Sequence, residues 1–204
     1  MSIFNKLFGS KTNKQKDSQE QERGKHMPKI ELPIDEKFMI EFKENGGKFL
    51  YCSDEKEVLS HFDSILAEND WNGSECYIKN EDLINQFTPF NLNLTRKIDK
   101  AVFFVTTVEA LVAEVGALMI SSNQIAEIKL NEYPENLIVV AKTSQIVKNI
   151  GDGLTDIKNK NKPRIPSNIT TIQHFKINET GEEKDFLTYG SFTKNVYLLL
   201  QEDL

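Results

Sequence analysis

Two uninterrupted apolar runs, Ala-Val-Phe-Phe-Val at 101–105 and Leu-Ile-Val-Val-Ala at 137–141, constrain the fold of this chain more than any other feature. Both are too short for a buried helix and rich in β-branched or aromatic side chains. Neither alternates apolar with polar residues, as a strand with one wet face would. Each therefore reads as a strand covered on both faces, the signature of a parallel sheet under helices.

The rest of the chain supplies those helices and further strands. Asp35 and Glu36 favour a helix start through the backbone dipole, Phe38, Met39 and Phe42 repeat at helical spacing, and Gly46-Gly47 stop the run. Residues 48–52 read as a buried strand. Ser53 is then the expected N-cap of a second helix with Val58, Leu59, Phe62, Ile65 and Leu66 on its apolar stripe. Residues 71–73 form a turn, 76–78 a short strand, and Leu83, Ile84 and Phe87 a short helix limited by Pro89. The spacing predicts a helical turn over 109–113, a strand over 117–120, and a helix over 144–150 that ends at Gly151. Strands follow at 169–175 and 196–200. Helices alternate with strands early and strands dominate later, which predicts a single α/β domain with a mixed, mostly parallel sheet flanked by helices.

Charge and cysteine usage narrow the function. The net charge is -6, against the clustered Lys and Arg that a broad nucleic-acid surface needs. Cys52 and Cys76 have no metal-type spacing, and His26, His61 and His174 lie far apart, so neither a disulfide framework nor a metal site is expected. Free thiols suit a reducing cytoplasm. No apolar run approaches the ~20 residues of a membrane span, and no signal peptide is visible.

Residues 1–29 read differently from residues 30–204. Ile3, Phe4, Leu7 and Phe8 share one helical face, and Gly9 ends the turn. The stretch 11–25 has no large apolar residue, so it cannot bury enough surface to offset its ordering entropy and is expected to be disordered. The short apolar face is too small to be a stable helix alone. It suits contact with a partner groove better than with a membrane surface.

Hydroxyl and carboxylate residues follow the apolar strands, where open α/β sheets bind ligands. Thr106, Thr107 and Glu109 follow the first run, and Thr143 and Ser144 the second. Hydroxyls and exposed backbone N–H groups there can hold an anion, although turn-capping alone would also explain them. Glu114, beside Gly116, is the candidate base or nucleophile, because glycine lets a substrate approach the backbone. A solvated carboxylate is the plain alternative. Gly151-Asp152-Gly153 lacks a phosphate-loop pattern and reads as a helix-terminating turn, the basic run 158–164 as a solvated loop, and His174 as structural.

The segment from Phe104-Val105-Thr106-Thr107 through Glu109-Ala110, Ala113-Glu114 and Gly116-Ala117 to Leu118-Met119-Ile120 resembles the LUD-domain family, the LutC/YkgG-like lactate-utilisation proteins. Residues 137–141, Pro166-Ser167-Asn168-Ile169-Thr170-Thr171-Ile172, Tyr189-Gly190-Ser191 and 196–200 follow in the same order. The sequence departs from the family pattern at Ala117, Ile169, Thr171, Tyr189 and Ser191, where the family carries Ser or Thr, Thr, Asp, His and Pro. The resemblance implies a NagB/RpiA/CoA-transferase-like fold, with Ser167 and Gly190 added to the ligand-binding set. It also implies an accessory or regulatory part in oxidising L-lactate to pyruvate, beside iron–sulfur and other lactate-utilisation partners. The chain lacks the Cys clusters of an electron carrier, and no cofactor of its own is expected. The alternatives are a stand-alone protein or enzyme that binds a CoA ester, phosphosugar or nucleotide-like anion, and an interaction protein working through its N-terminal segment. Fold alone does not decide among them.

Overall fold

A computed structural model describes residues 32–175 and 194–203. Residues 1–31, and with them the N-terminal apolar face and polar stretch, lie outside the described residues. So do 176–193, including Gly190.

The described residues build two sheets. The element order is α1 (Ile34–Glu44), β1 (Lys48–Cys52), α2 (Glu55–Glu68), β2 (Glu75–Ile78), α3 (Glu81–Gln86), β3 (Asn93–Leu94), β4 (Phe103–Thr106), β5 (Ala110–Val112), β6 (Ala117–Ile120), α4 (Ser122–Ile125), β7 (Asn136–Lys142), β8 (Ile146–Val147), α5 (Ile150–Lys160), β9 (Thr170–Ile172) and β10 (Asn195–Gln201). The main sheet has six strands in the order β1-β10-β7-β4-β2-β3, and every pairing in it is parallel. The smaller sheet has four strands in the order β8-β5-β6-β9, with antiparallel pairings on both sides of β6. The expected mixed, mostly parallel architecture is thus present, with its antiparallel part confined to the smaller sheet.

The run 137–141 lies wholly within central strand β7, and Phe103 to Val105 of the other run open central strand β4; Ala101 and Val102 precede that strand, and Val102 is exposed. Register pairs Phe104 with Leu137 and Val105 with Ile138. Alternate side chains leave the sheet on opposite faces. Phe104, Leu137, Val139 and Leu198 join a core with Phe38 and Phe42 of α1. Phe103, Val105, Ile138 and Leu199 join another with Phe62, Ile65 and Leu66 of α2 and Leu83 of α3. Covering both faces is why neither run needs polar alternation. Phe62 is fully buried, and its ring stacks on that of Phe87 with centroids 4.0 Å apart.

Two local expectations are corrected. Residues 109–113 form no helical turn. Ala110–Val112 is strand β5, buried between β6 and β8. Gly116, at φ +58, makes the reversal into β6, and its Cα lies against the backbone of Glu41 and Phe42, leaving no room for a Cβ. Residues 144–150 are not a helix either. A 3-10 turn (Thr143–Gln145) leads into β8, and α5 starts only after Asn149, whose side chain accepts from the Asp152 N–H. Gly151 and Gly153 therefore open a helix rather than end one, and Gly153 sits against the Met119 sulfur where a side chain would collide. A smaller shift moves the α2 cap from Ser53 to Asp54, which accepts from the Glu57 N–H at 2.9 Å.

Lys194, immediately before β10, is buried, and its ammonium donates to the carbonyls of Tyr133 (2.7 Å) and Pro134 (3.0 Å). Burial pulls its pKa down to about 8, against the opposing charge of Glu135.

Phe62→Ala removes a fully buried ring from the α2 face and should cost ~3–5 kcal/mol in a denaturant melt. A change within ~0.5 kcal/mol would mean that α2 does not pack through this face.

Candidate functional site at the carboxyl edge of the parallel sheet

Because every strand of the main sheet runs the same way, all their carboxyl ends open on one edge. Lys79 follows β2, Thr107 follows β4, Thr143 follows β7 and Glu202 follows β10. This is the edge at which open α/β sheets place ligands.

The residues there form two groups. The first surrounds the turn after β4. Thr106 is the last residue of the strand, buried, with its hydroxyl donating to the Thr107 carbonyl at 3.1 Å. Glu109 is half-buried, and one of its carboxylate oxygens accepts from the Ser121 hydroxyl at 2.6 Å and the Asn123 amide at 2.8 Å. Ser121 also caps α4 together with Gln124, in a capping box that closes on the backbone. The Gln124 amide reaches toward the Thr107 hydroxyl at 3.5 Å. Lys79 crosses from β2, its ammonium donating to the carbonyls of Ser122 and Asn123 at 2.9 Å each. Ser167 joins from the loop before β9: its N–H donates to the Ser122 hydroxyl at 3.1 Å and its own hydroxyl to the Glu127 carboxylate.

The second group surrounds the turn after β7 and already holds an anion, the Asp203 carboxylate. One carboxylate oxygen accepts from the Thr143 hydroxyl and the Ser144 N–H, both at 2.9 Å, and the other from the Ser144 hydroxyl at 2.7 Å. Burial pushes the Asp203 carboxyl up, but the hydrogen bonds from Ser144 and Thr143 and the charge of Lys142 outweigh it, so it sits below its ordinary value. Gln145 links the two groups: its carbonyl oxygen accepts from the Lys142 N–H at 2.8 Å, and its amide donates to the Val108 carbonyl at 2.6 Å.

The structure therefore gathers Thr106, Thr107, Glu109 and Ser167 around α4, and Thr143 with Ser144 on the other side of β7. It does not bring Glu114 or Gly116 to them. Both lie in the reversal at the far end of the β5–β6 hairpin, where Glu114 is exposed and Gly116 is packed on α1. The residues expected at the strand ends form two clusters, and Glu114 belongs to neither. Sequence reasoning missed Lys79, Ser121, Asn123 and Asp203. A capping-box pattern at Ser121–Gln124 was the available signal for one pair; Asp203 reaches Thr143 across 60 residues and left none.

Among the described residues no group of three or more His, Cys, Asp or Glu side chains could hold a metal ion. Cys52 and Cys76 are buried in β1 and β2, with three strands between them in the sheet order. Burial, with Glu57 and Asp54 nearby, pushes the Cys52 thiol up to about 12, and burial alone pushes Cys76 to about 11. Neither is a ready thiolate.

The LUD domain family model matches residues 36–195. The chain belongs to the LUD-domain family. A crystal structure of a DUF162 family protein from Deinococcus radiodurans superposes with a TM-score of 0.58 at 13% identity, over 83% of this chain and 96% of that one, a likeness of fold alone. A comparison with curated proteins gives no match. The family is linked to lactate utilisation. Among the described residues no helix is long and apolar enough to cross a membrane.

The clamp on Asp203 should respond to pH in a defined direction. A carboxylate whose folded pKa is depressed contributes stability above its unfolded value and loses it as pH falls through the folded one. The Ser144 amide resonance should titrate with its midpoint below the ordinary Asp value of 3.8. Asp203→Asn should abolish that transition; its persistence in the variant would assign it to another group.

Proposed function

We propose that this LUD-domain chain is an accessory or regulatory component of L-lactate oxidation to pyruvate, and that it binds a small anion at the carboxyl edge of its parallel sheet. Electron transfer would rest with iron–sulfur partners in the cytoplasm. One observation carries the reading: hydroxyls and backbone N–H groups follow adjacent parallel strands, and one such turn already grips a carboxylate. Lactate and pyruvate are small carboxylates, the chemical type that such a turn recognises. Lys79 adds a positive charge whose hydrogen-bond partners are backbone carbonyls, so it can attract an anion without first breaking an ion pair. The two buried cysteines fit a component that carries no thiolate-ligated cluster of its own.

In this reading residues 30–204 hold the ligand. Residues 1–29 contribute a partner contact through Ile3, Phe4, Leu7 and Phe8, and Gly190 joins the ligand set.

Reconstitution tests the proposal. The full chain should co-purify with the iron–sulfur component of a lactate-oxidising system, and omitting it should lower the rate of pyruvate formation about tenfold or more. Ser144→Ala combined with Lys79→Gln should reproduce most of that loss while leaving the fold intact, since ~1.4 kcal/mol of lost ligand affinity already amounts to a factor of ten. Equal rates with and without the chain would overturn the proposal. Turnover of a CoA ester or phosphosugar by the chain alone would favour the stand-alone alternative.

A further inference from the structure

A groove of about 390 Å³ lies away from the carboxyl edge, between the start of β1 and the outer face of α2. Leu50 and Ile65, which share the α2 face of the sheet, are its apolar lining, and Lys43 and Lys48 its cations; the Phe49 ring turns to the other face, against Phe42. The helix contributes His61, Ser64 and Glu68 at spacings of three and four residues, so they share a face. The strand contributes Lys48, whose ammonium donates to the Tyr197 hydroxyl at 2.6 Å and stands 4.1 Å over the Tyr197 ring centre. Tyr197 is itself fixed: it is buried in central strand β10, and its hydroxyl is within 3.0–3.1 Å of the Asn69 side-chain amide.

This arrangement positions a cation and leaves it underused. An ammonium has three donors. One goes to Tyr197, the ring lies beneath, and among the described residues no carboxylate is bonded to Lys48. Glu68 shares the groove without pairing with it. The cost of orienting the lysine is met by the Tyr197–Asn69 support before any ligand arrives, which is the condition for useful binding energy. The volume is within the range of small-molecule sites, and charged and polar side chains stand in it beside the apolar Leu50 and Ile65.

We propose that this groove is a second ligand site, separate from the carboxyl edge, for a small organic monoanion with a flat apolar body. Lys48 binds the anionic group, His61 donates from the opposite wall, and the body packs against Leu50 and Ile65. Glu68 sets an upper limit on ligand charge by repelling a second negative group.

Benzoate is the probe, with benzyl alcohol as its uncharged counterpart, titrated into the full chain and followed by amide chemical shifts. Benzoate should shift the Lys48, Phe49 and His61 resonances saturably, and benzyl alcohol should bind about tenfold more weakly or worse, the equivalent of one lost charged contact. Lys48→Gln should weaken benzoate by a similar factor, Lys48→Arg should retain it, and Glu68→Gln should tighten it. The opposite signs at Lys48 and Glu68 separate a charge-reading site from an apolar crevice. Equal binding of benzoate and benzyl alcohol, an unchanged affinity in Lys48→Gln, or no saturable shift at these residues would each overturn the proposal. None of these outcomes bears on the lactate reading, which stands on the other edge of the sheet.

Discussion

The parallel hydrogen-bond ladder through β10, β7 and β4 is the constraint on which the rest of the structure depends. β10 is the last strand in sequence, yet it lies between β1, the first, and β7. Val196 to Leu200 are all buried, and their alternate side chains feed opposite cores. The sheet is closed only when the carboxyl end of the chain arrives. Until then β1 and the helix that follows it have no strand partner, and β7 has a bare edge. Such pairing of distant segments is slow to form because loop closure must precede the reward, and it makes the two cores cooperate once formed.

The same ladder explains where the chemistry collects. Parallel strands point their carboxyl ends one way, so residues from four separate parts of the chain meet on one edge with their backbone groups partly unspent. The smaller sheet grows out of that edge: β5 leaves β4 after three residues and picks up β8, which leaves β7 after three. Gln145 ties the two turns at their base. The polar groups are thus held by strands rather than by free loops, and their geometry follows from the register of the sheet. The Asp203 carboxylate that bonds the Thr143–Ser144 turn lies two residues past β10, so the same strand that completes the sheet brings it there.

Much of this framework is legible in the sequence because the signals are local. Residues 101–105 and 137–141 announce buried strands by continuous apolarity, and α1 and α2 announce themselves by the spacing of Phe38, Met39 and Phe42, and of Val58, Phe62 and Ile65. The hairpin is not legible in that way. Ala110, Leu111 and Val112 fit a helical turn as well as a strand, and what decides between them is pairing on both sides, with β6 across the Gly116 reversal and with Ile146 and Val147 more than thirty positions away. The glycines of α5 mislead for a related reason: Gly153 is demanded by Met119 across the packing, while by itself it reads as a terminator. At the candidate site, Thr106, Thr107, Thr143 and Ser144 are legible as hydroxyls following strands. Ser121 carries only the local signal of a capping box with Gln124, and Asn123, Lys79 and Asp203 carry none, since their contacts at the site are tertiary. Glu114 illustrates the converse. Its neighbour Gly116 serves the hairpin reversal and the contact with α1, and no ligand is needed to explain it.

Membership of the LUD-domain family and the carboxyl-edge geometry are the two supports of the central proposal, that the chain binds a small carboxylate where its parallel strands end. The most direct measurement is amide chemical-shift mapping of the full chain titrated with pyruvate, L-lactate and, as the uncharged control, acetone. The account predicts saturable shifts at Thr107, Val108, Glu109, Thr143 and Ser144 with either carboxylate, and none there with acetone. Carboxylate-induced shifts that leave all five residues unmoved, or that acetone reproduces, would contradict it.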